Sequence, residues 1–175
     1  MKKTIIQALV AAGLVAAAGV ASADSGNISF QGNITQSACS ISGNNLAMTV
    51  QMGSVATHEF SGIGSRNSVG TDFSISLLNC DTTVAQTASI AFKPGAGTVI
   101  NNRLLSLENG GGAQGVAIAL VDQAGKDVTV GGQALSYTLI DGTNQFNFKA
   151  FYEATEDTVT AGPANARAIF DVTYS

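Results

Sequence analysis

The 175-residue chain has no tryptophan, one histidine and two cysteines, and aromatic residues make up only 6% of it. Each scarcity closes off a class of function. A lone histidine, His58, cannot build a histidine-rich metal centre of the superoxide-dismutase kind. Met48 and Met52 would suit copper, but their even spacing puts both on one face of a strand, where they fill core. Sugar-binding surfaces lean on aromatic platforms, and here the few Phe and Tyr fall mostly at inward strand positions. The twelve acids are dispersed, with Glu156-Asp157 reading as a loop-tip pair. There is no nucleophile motif and no phosphate-cradling loop ahead of a helix, so no catalytic, cofactor-binding or metal-binding residue is assigned. The net charge is −4, or −6 without Lys2 and Lys3, and an acidic surface repels the phosphates of nucleic acid.

What is present begins with an export signal. Met1-Lys2-Lys3, an apolar stretch from Ile5 to Val20 and the small residues Ala21-Ser22-Ala23 follow the order of a secretory signal peptide, residues 1–23. Cleavage there leaves 152 residues (175 less 23), enough for one domain with one core. In an exported chain an even pair of cysteines reads as a disulfide, here Cys39 to Cys80. Closing a loop of that length is worth about 4 kcal/mol by chain entropy.

No window with helical periodicity stands out. Alternation with period two recurs instead. Phe73, Ile75 and Leu77 alternate with serines, and Phe146, Phe148, Ala150 and Tyr152 with mostly polar neighbours. Leu46, Met48, Val50 and Met52 predict a further strand. Each set describes a strand with one buried face. Val116 to Val121 is apolar throughout and predicts a strand covered on both sides. Turn signals separate these runs, among them Pro94-Gly95, Asn109 to Gly112, Gly125-Lys126 and Asp141-Gly142. The pattern predicts an all-β, antiparallel sandwich.

Both ends of the mature chain carry strands. Ala164, Ala166, Ala168, Phe170, Val172 and Tyr174 share one face close to the C-terminus. Near the cleavage site, Gly26, Ile28, Phe30, Gly32 and Ile34 alternate with polar residues. On alternation alone this is equally the first strand of a self-complete secreted sandwich that binds a carbohydrate or host protein.

The segment Ile28-Ser29-Phe30-Gln31-Gly32-Asn33-Ile34 followed by Cys39 resembles the N-terminal extension of chaperone–usher pilins, especially the type 1 fimbrial subunits. Phe73 to Asp81 is similar to their second-cysteine segment, and Gly115 to Leu120 to their Gly-Val-x-Ile-x-Leu strand. Gly162, fourteenth from the end, and the penultimate Tyr174 stand at hallmark positions of that family. The resemblance implies an incomplete immunoglobulin-like β-sandwich of six strands that lacks its last strand. Residues 24–36 become a donor-strand extension and 37–175 the pilin domain. It further implies a groove beside the C-terminal strand, with Gly162, Phe170, Val172 and Tyr174 on the groove side of that strand. A periplasmic pilus chaperone fills that groove first, and the extension of another pilin subunit replaces it at the outer-membrane usher. The product is an extracellular fimbrium supporting cell adhesion.

The cysteine reading has a direct test. Alkylation of unreduced, periplasm-purified protein should add no mass, and reduction beforehand should add two adducts. Two free thiols in the unreduced protein would refute it.

Overall fold

The computed structural model describes residues 26–32, 34, 37–108 and 112–175. The signal-peptide reading lies outside these residues, as do residues 24, 25, 33, 35 and 36 of the extension and Asn109 to Gly111 of the glycine tract. The chain divides into two units, residues 1–34 and 35–175, of which the second holds the sandwich.

Six strands of four or more residues carry this unit: β2 (Thr71–Cys80), β3 (Thr87–Pro94), β6 (Val116–Asp122), β8 (Leu135–Thr138), β9 (Gly142–Ala154) and β10 (Ala168–Tyr174). Two-residue strands extend them: β1 (Ser40–Ile41), β4 (Val99–Ile100), β5 (Leu104–Leu105) and β7 (Asp127–Val128). One antiparallel sheet runs β1-β2-β9-β6-β5-β4, with β7 also on β6, and the other runs β10-β3-β8. This is the all-β, immunoglobulin-like arrangement expected, two antiparallel sheets over a shared core.

The alternations explain the layers. Ile75 and Leu77 are fully buried, as are Ala88 and Ile90 on the facing sheet. Phe148 of β9 meets Phe92 of β3 edge to face at 5.1 Å and stacks on Phe73 at 5.5 Å, so three rings bind the sheets together. β6 is buried on both faces as predicted. Val116, Ile118 and Leu120 enter the main core, while Ala117 and Ala119 pack outward with Leu104, Ile100 and Phe151. Cys39 and Cys80 are disulfide-bonded, with Cα atoms 4.2 Å apart, just under the usual range. The bond ties the chain entering β1 to the end of β2.

Residues 46–52 do not form the predicted strand. A single helical turn, Gly43–Leu46, takes up the first of them, Leu46 is 72% exposed, and only Val50 and Met52 keep partial burial. The cause is Asn45. Its buried side chain donates to the Ser74 carbonyl (2.7 Å) and accepts from the Ser76 amide (2.9 Å). A side-chain amide thus seals the edge of β2 where β1 stops, and the backbone leaves the sheet.

The dispersed acids also hide one cluster. Glu153 of β9 is 3% exposed and held by both Arg66 (2.7 Å) and Arg103, and both arginines reach Asp127 of β7. Burial opposes the Arg66 charge, but the hydrogen bonds to Glu153 and Asp127 outweigh it and hold that guanidinium above its ordinary pKa. Removing one partner of a buried pair costs about 3–5 kcal/mol. Glu153→Ala should therefore destabilise the disulfide-intact monomer by up to that range, read as a lower urea midpoint. Exposed Asp72→Ala, which loses only a surface pair with Lys149, should leave it unchanged.

Candidate functional site

Among the described residues β10 has a ladder on one side only. Its partner is β3, in a register that sets Phe170 opposite Phe92 and Val172 opposite Ile90. Ser175 and Thr87 exchange both backbone hydrogen bonds, and the Gly95 amide donates to the Arg167 carbonyl. In an antiparallel pair such positions recur every second residue. Ile169, Asp171 and Thr173 therefore spend their amides and carbonyls on β3. Those of Ala168, Phe170, Val172 and Tyr174 point to the opposite edge, where no described strand lies. The same residues, save exposed Ala168, turn their side chains toward the core. Phe170, Val172 and Tyr174 pack against it yet stay only half-buried, whereas Ala88, Ile90 and Phe92 beside them are closed off. An edge strand with core-facing apolar residues left part-open lacks one neighbour. The Tyr174 hydroxyl is itself buried without a hydrogen-bond partner, and burial pushes its pKa up.

Upstream of β10 lies a cleft of about 400 Å³. Gly53 to Val55, Thr57 and Phe60 line one side and Val159 to Asn165 the other, with Val116 and Tyr152 among the lining residues. From Met48 to Val55 no backbone group bonds to another described backbone group, so this wall is unpaired as well. Tyr152 fixes the opposite wall by donating from its hydroxyl to the Ala164 carbonyl at 2.8 Å.

Gly162 lines this cleft and lies upstream of β10 rather than on it, so the assignment of Gly162 to the C-terminal strand itself is corrected. Its glycine character has a steric cause: a Cβ here would stand 2.6 Å from the Ala113 amide nitrogen and from the Gly112 carbonyl carbon. Gly112 reciprocates, since a Cβ there would stand 2.0 Å from the Pro163 carbonyl oxygen. The two backbones touch directly, closed by the Ala113 amide bonding to Pro163 (2.9 Å). The sequence reading took Gly112 for a turn residue and missed this pairing.

The other expected residues fall as follows. Ile28, Phe30 and Ile34 are 74, 90 and 101% exposed, and residues 26–32 form no strand. No Cβ built on Gly26 or Gly32 would meet another atom within 4 Å. His58 sits exposed in a short 3-10 turn, Thr57–Glu59. Its neighbour Glu59 accepts from the Ser68 amide and hydroxyl, which lowers its carboxyl pKa. Met48 is partly exposed beside Asn45, and Met52 packs on the core. Glu156 and Asp157 are exposed in the loop after β9.

The glycine contact predicts a size limit. Gly162→Ala should force the cleft wall off Gly112 and cost about 1–3 kcal/mol, read as a lower urea midpoint of the isolated domain. Gly43→Ala, with open space around its Cβ, serves as the control and should change little.

Comparison with known proteins gives the same picture from outside. The family model described as "Fimbrial protein" matches residues 28–175. The chain is 35% identical to the fimbrial-like protein SfmA of Escherichia coli K12, covering 99% of each chain. It is 36% identical to the type-1 fimbrial protein A chain of Escherichia coli, over 85% of this chain and 82% of that one. Among solved structures, a chaperone–usher pilus studied for the uncoiling of its rod superimposes with a TM-score of 0.72 at 28% identity, covering 87% of this chain and 96% of that one. With two antiparallel sheets, a C-terminal strand laddered on one edge only and matches of this extent, the chain belongs to the fimbrial protein family.

Proposed function

We propose that this protein is a structural subunit of a bacterial chaperone–usher fimbria that polymerises by donor-strand exchange and needs no catalysis to do so. Residues 24–36 are the donor extension and 37–175 the pilin domain that accepts a neighbour's extension. The observation that carries this reading is the free edge of β10, with Phe170, Val172 and Tyr174 half-open beneath it. Strand addition to such an edge is a mode of recognition already described for chaperone–pilin complexes. The added strand bonds along its length to the even-numbered backbone groups of β10, and its alternate side chains cover the part-open core.

The exposed N-terminal segment has the matching chemistry. Ile28, Phe30 and Ile34 fall on one face of an extended strand, and burying them is worth roughly 5–9 kcal/mol. Gly32, on the same face, lets the donor pass a narrow part of the groove. Because donor and acceptor lie on different parts of one chain, the contact is head-to-tail and grows an open fibre. Before assembly the groove is occupied by a periplasmic pilus chaperone, and the exchange takes place at the outer-membrane usher. The finished fimbrium is extracellular and supports adhesion of the cell. The family and the chaperone–usher pilus likeness support this route.

Phe30→Asp separates donor from core roles. Co-expressed with the chaperone, the variant should give normal soluble complex and no surface fibre. Loss of the soluble complex itself would instead make Phe30 a core residue, whose removal costs about 3–5 kcal/mol, and would overturn the donor role.

A further inference from the structure

The far ends of the sandwich are fixed by strand register. Cys80 pairs with Gly142 at one end, and Val116 with Ala154 at the other. The 13 residues of β9 between them span about 40 Å. The chain enters the sandwich at the first end, where the Asp81 amide donates to the Ala38 carbonyl (2.9 Å). That entry end carries two uncovered apolar side chains, Val84 (63% exposed) and Ile140 (65% exposed). The two loops that carry them are bonded to each other. Val84 sits in the turn closed by its amide on the Asp81 carbonyl, and Thr82 in that turn bonds through its amide (2.8 Å) and hydroxyl to the Asp141 carboxylate.

We infer that Val84 and Ile140 form a second subunit contact, in which the entry end of one copy docks against the cleft end of the copy that accepts its donor strand. The inference rests on the donor-strand reading and adds a surface to it. The argument is one of tether length. Four residues, 35–38, separate Ile34 from Cys39, and fully extended they reach about 14 Å at most. Once the segment up to Ile34 lies along a neighbour's β10, that neighbour's groove mouth is within this distance of Ala38, at the end of the sandwich that carries Val84 and Ile140. Linear growth selects which mouth. β10 finishes at the entry end, where Ser175 bonds to Gln86 and Thr87 and the Leu139 amide bonds to Gln86. A donor leaving the groove there would bring successive entry ends together at one place, where each must also release its own extension. Leaving at the cleft end, beside Gly53 to Val55 and Val159 to Asn165, stacks subunits end to end. The apolar pair then meets the half-open lining of Val55 and Val159.

Photo-crosslinking in assembled fibres tests this. A benzoylphenylalanine placed at position 84 or at 140 should give a covalent dimer at least fivefold more abundant than one placed at Lys126, in the exposed β6–β7 turn. Its mapped partner peptide should lie within residues 53–60 or 157–168. The dimer should vanish in the Phe30→Asp background, where no fibre forms. As a second reading, Val84→Asp with Ile140→Asp should leave the monomer's melting unchanged and cut the heat resistance of multimers on gels. Fibres that form normally yet give no excess crosslink and unchanged heat resistance overturn the second contact and leave donor exchange standing. Failure of the unsubstituted protein to form multimers overturns both.

Discussion

The structure turns on the unpaired backbone edge of β10. A strand whose alternate amides and carbonyls have no ladder partner is a template for another chain, and proteins that remain monomers blunt such edges with charge, proline, bulges or cover. β10 uses none of these at its core-facing positions, which read Phe170, Val172 and Tyr174. The charge it carries, Asp171, is turned outward and paired with Lys93 of β3. The edge of β2 shows the contrary solution in the same molecule. There β1 covers Leu77 and Leu78, and the Asn45 side chain takes over at Ser74 and Ser76. One edge is closed down to a single side-chain amide and the other is left open for seven residues.

The rest of the domain holds that edge in place. Phe92 and Phe148 clamp the sheets beneath it, the disulfide ties the entering chain to β2, and Tyr152 with the Gly112–Gly162 contact fixes the cleft wall. On the outer face the Arg66–Glu153–Arg103–Asp127 network joins β9, β7 and two loops. Its charges balance, two against two, so it holds these elements together without adding net charge to the surface.

Strands with a clean period of two were legible in the sequence because the alternation is itself the fold. Phe73 to Leu77, Phe146 to Tyr152 and the inward Phe170, Val172 and Tyr174 of β10 read directly, as did the doubly buried β6. The predicted C-terminal strand began too early, since β10 starts at Ala168, which is exposed. The run Leu46 to Met52 has the same alternation and failed, because the hydrogen bonds that decide its path come from the Asn45 side chain, which no periodicity reports. The charged cluster was invisible for a related reason: Arg66 and Glu153 are 87 positions apart in sequence. Gly162 was found through family resemblance alone. Its physical reason, contact with Gly112, needs both backbones in view. The openness of the groove was likewise beyond alternation, since an inward strand face reads the same whether its edge is covered or bare.

The central claim is that the even-numbered backbone groups of β10 wait for a neighbour's strand. Amide hydrogen exchange resolved by residue measures this directly. In the isolated subunit the amides of Ile169, Asp171 and Thr173 should be protected by β3, while those of Phe170, Val172 and Tyr174 exchange freely. In assembled fibres the second set should become protected as well. Protection of Phe170, Val172 and Tyr174 in the isolated subunit, or free exchange of the same three in the fibre, would contradict the account.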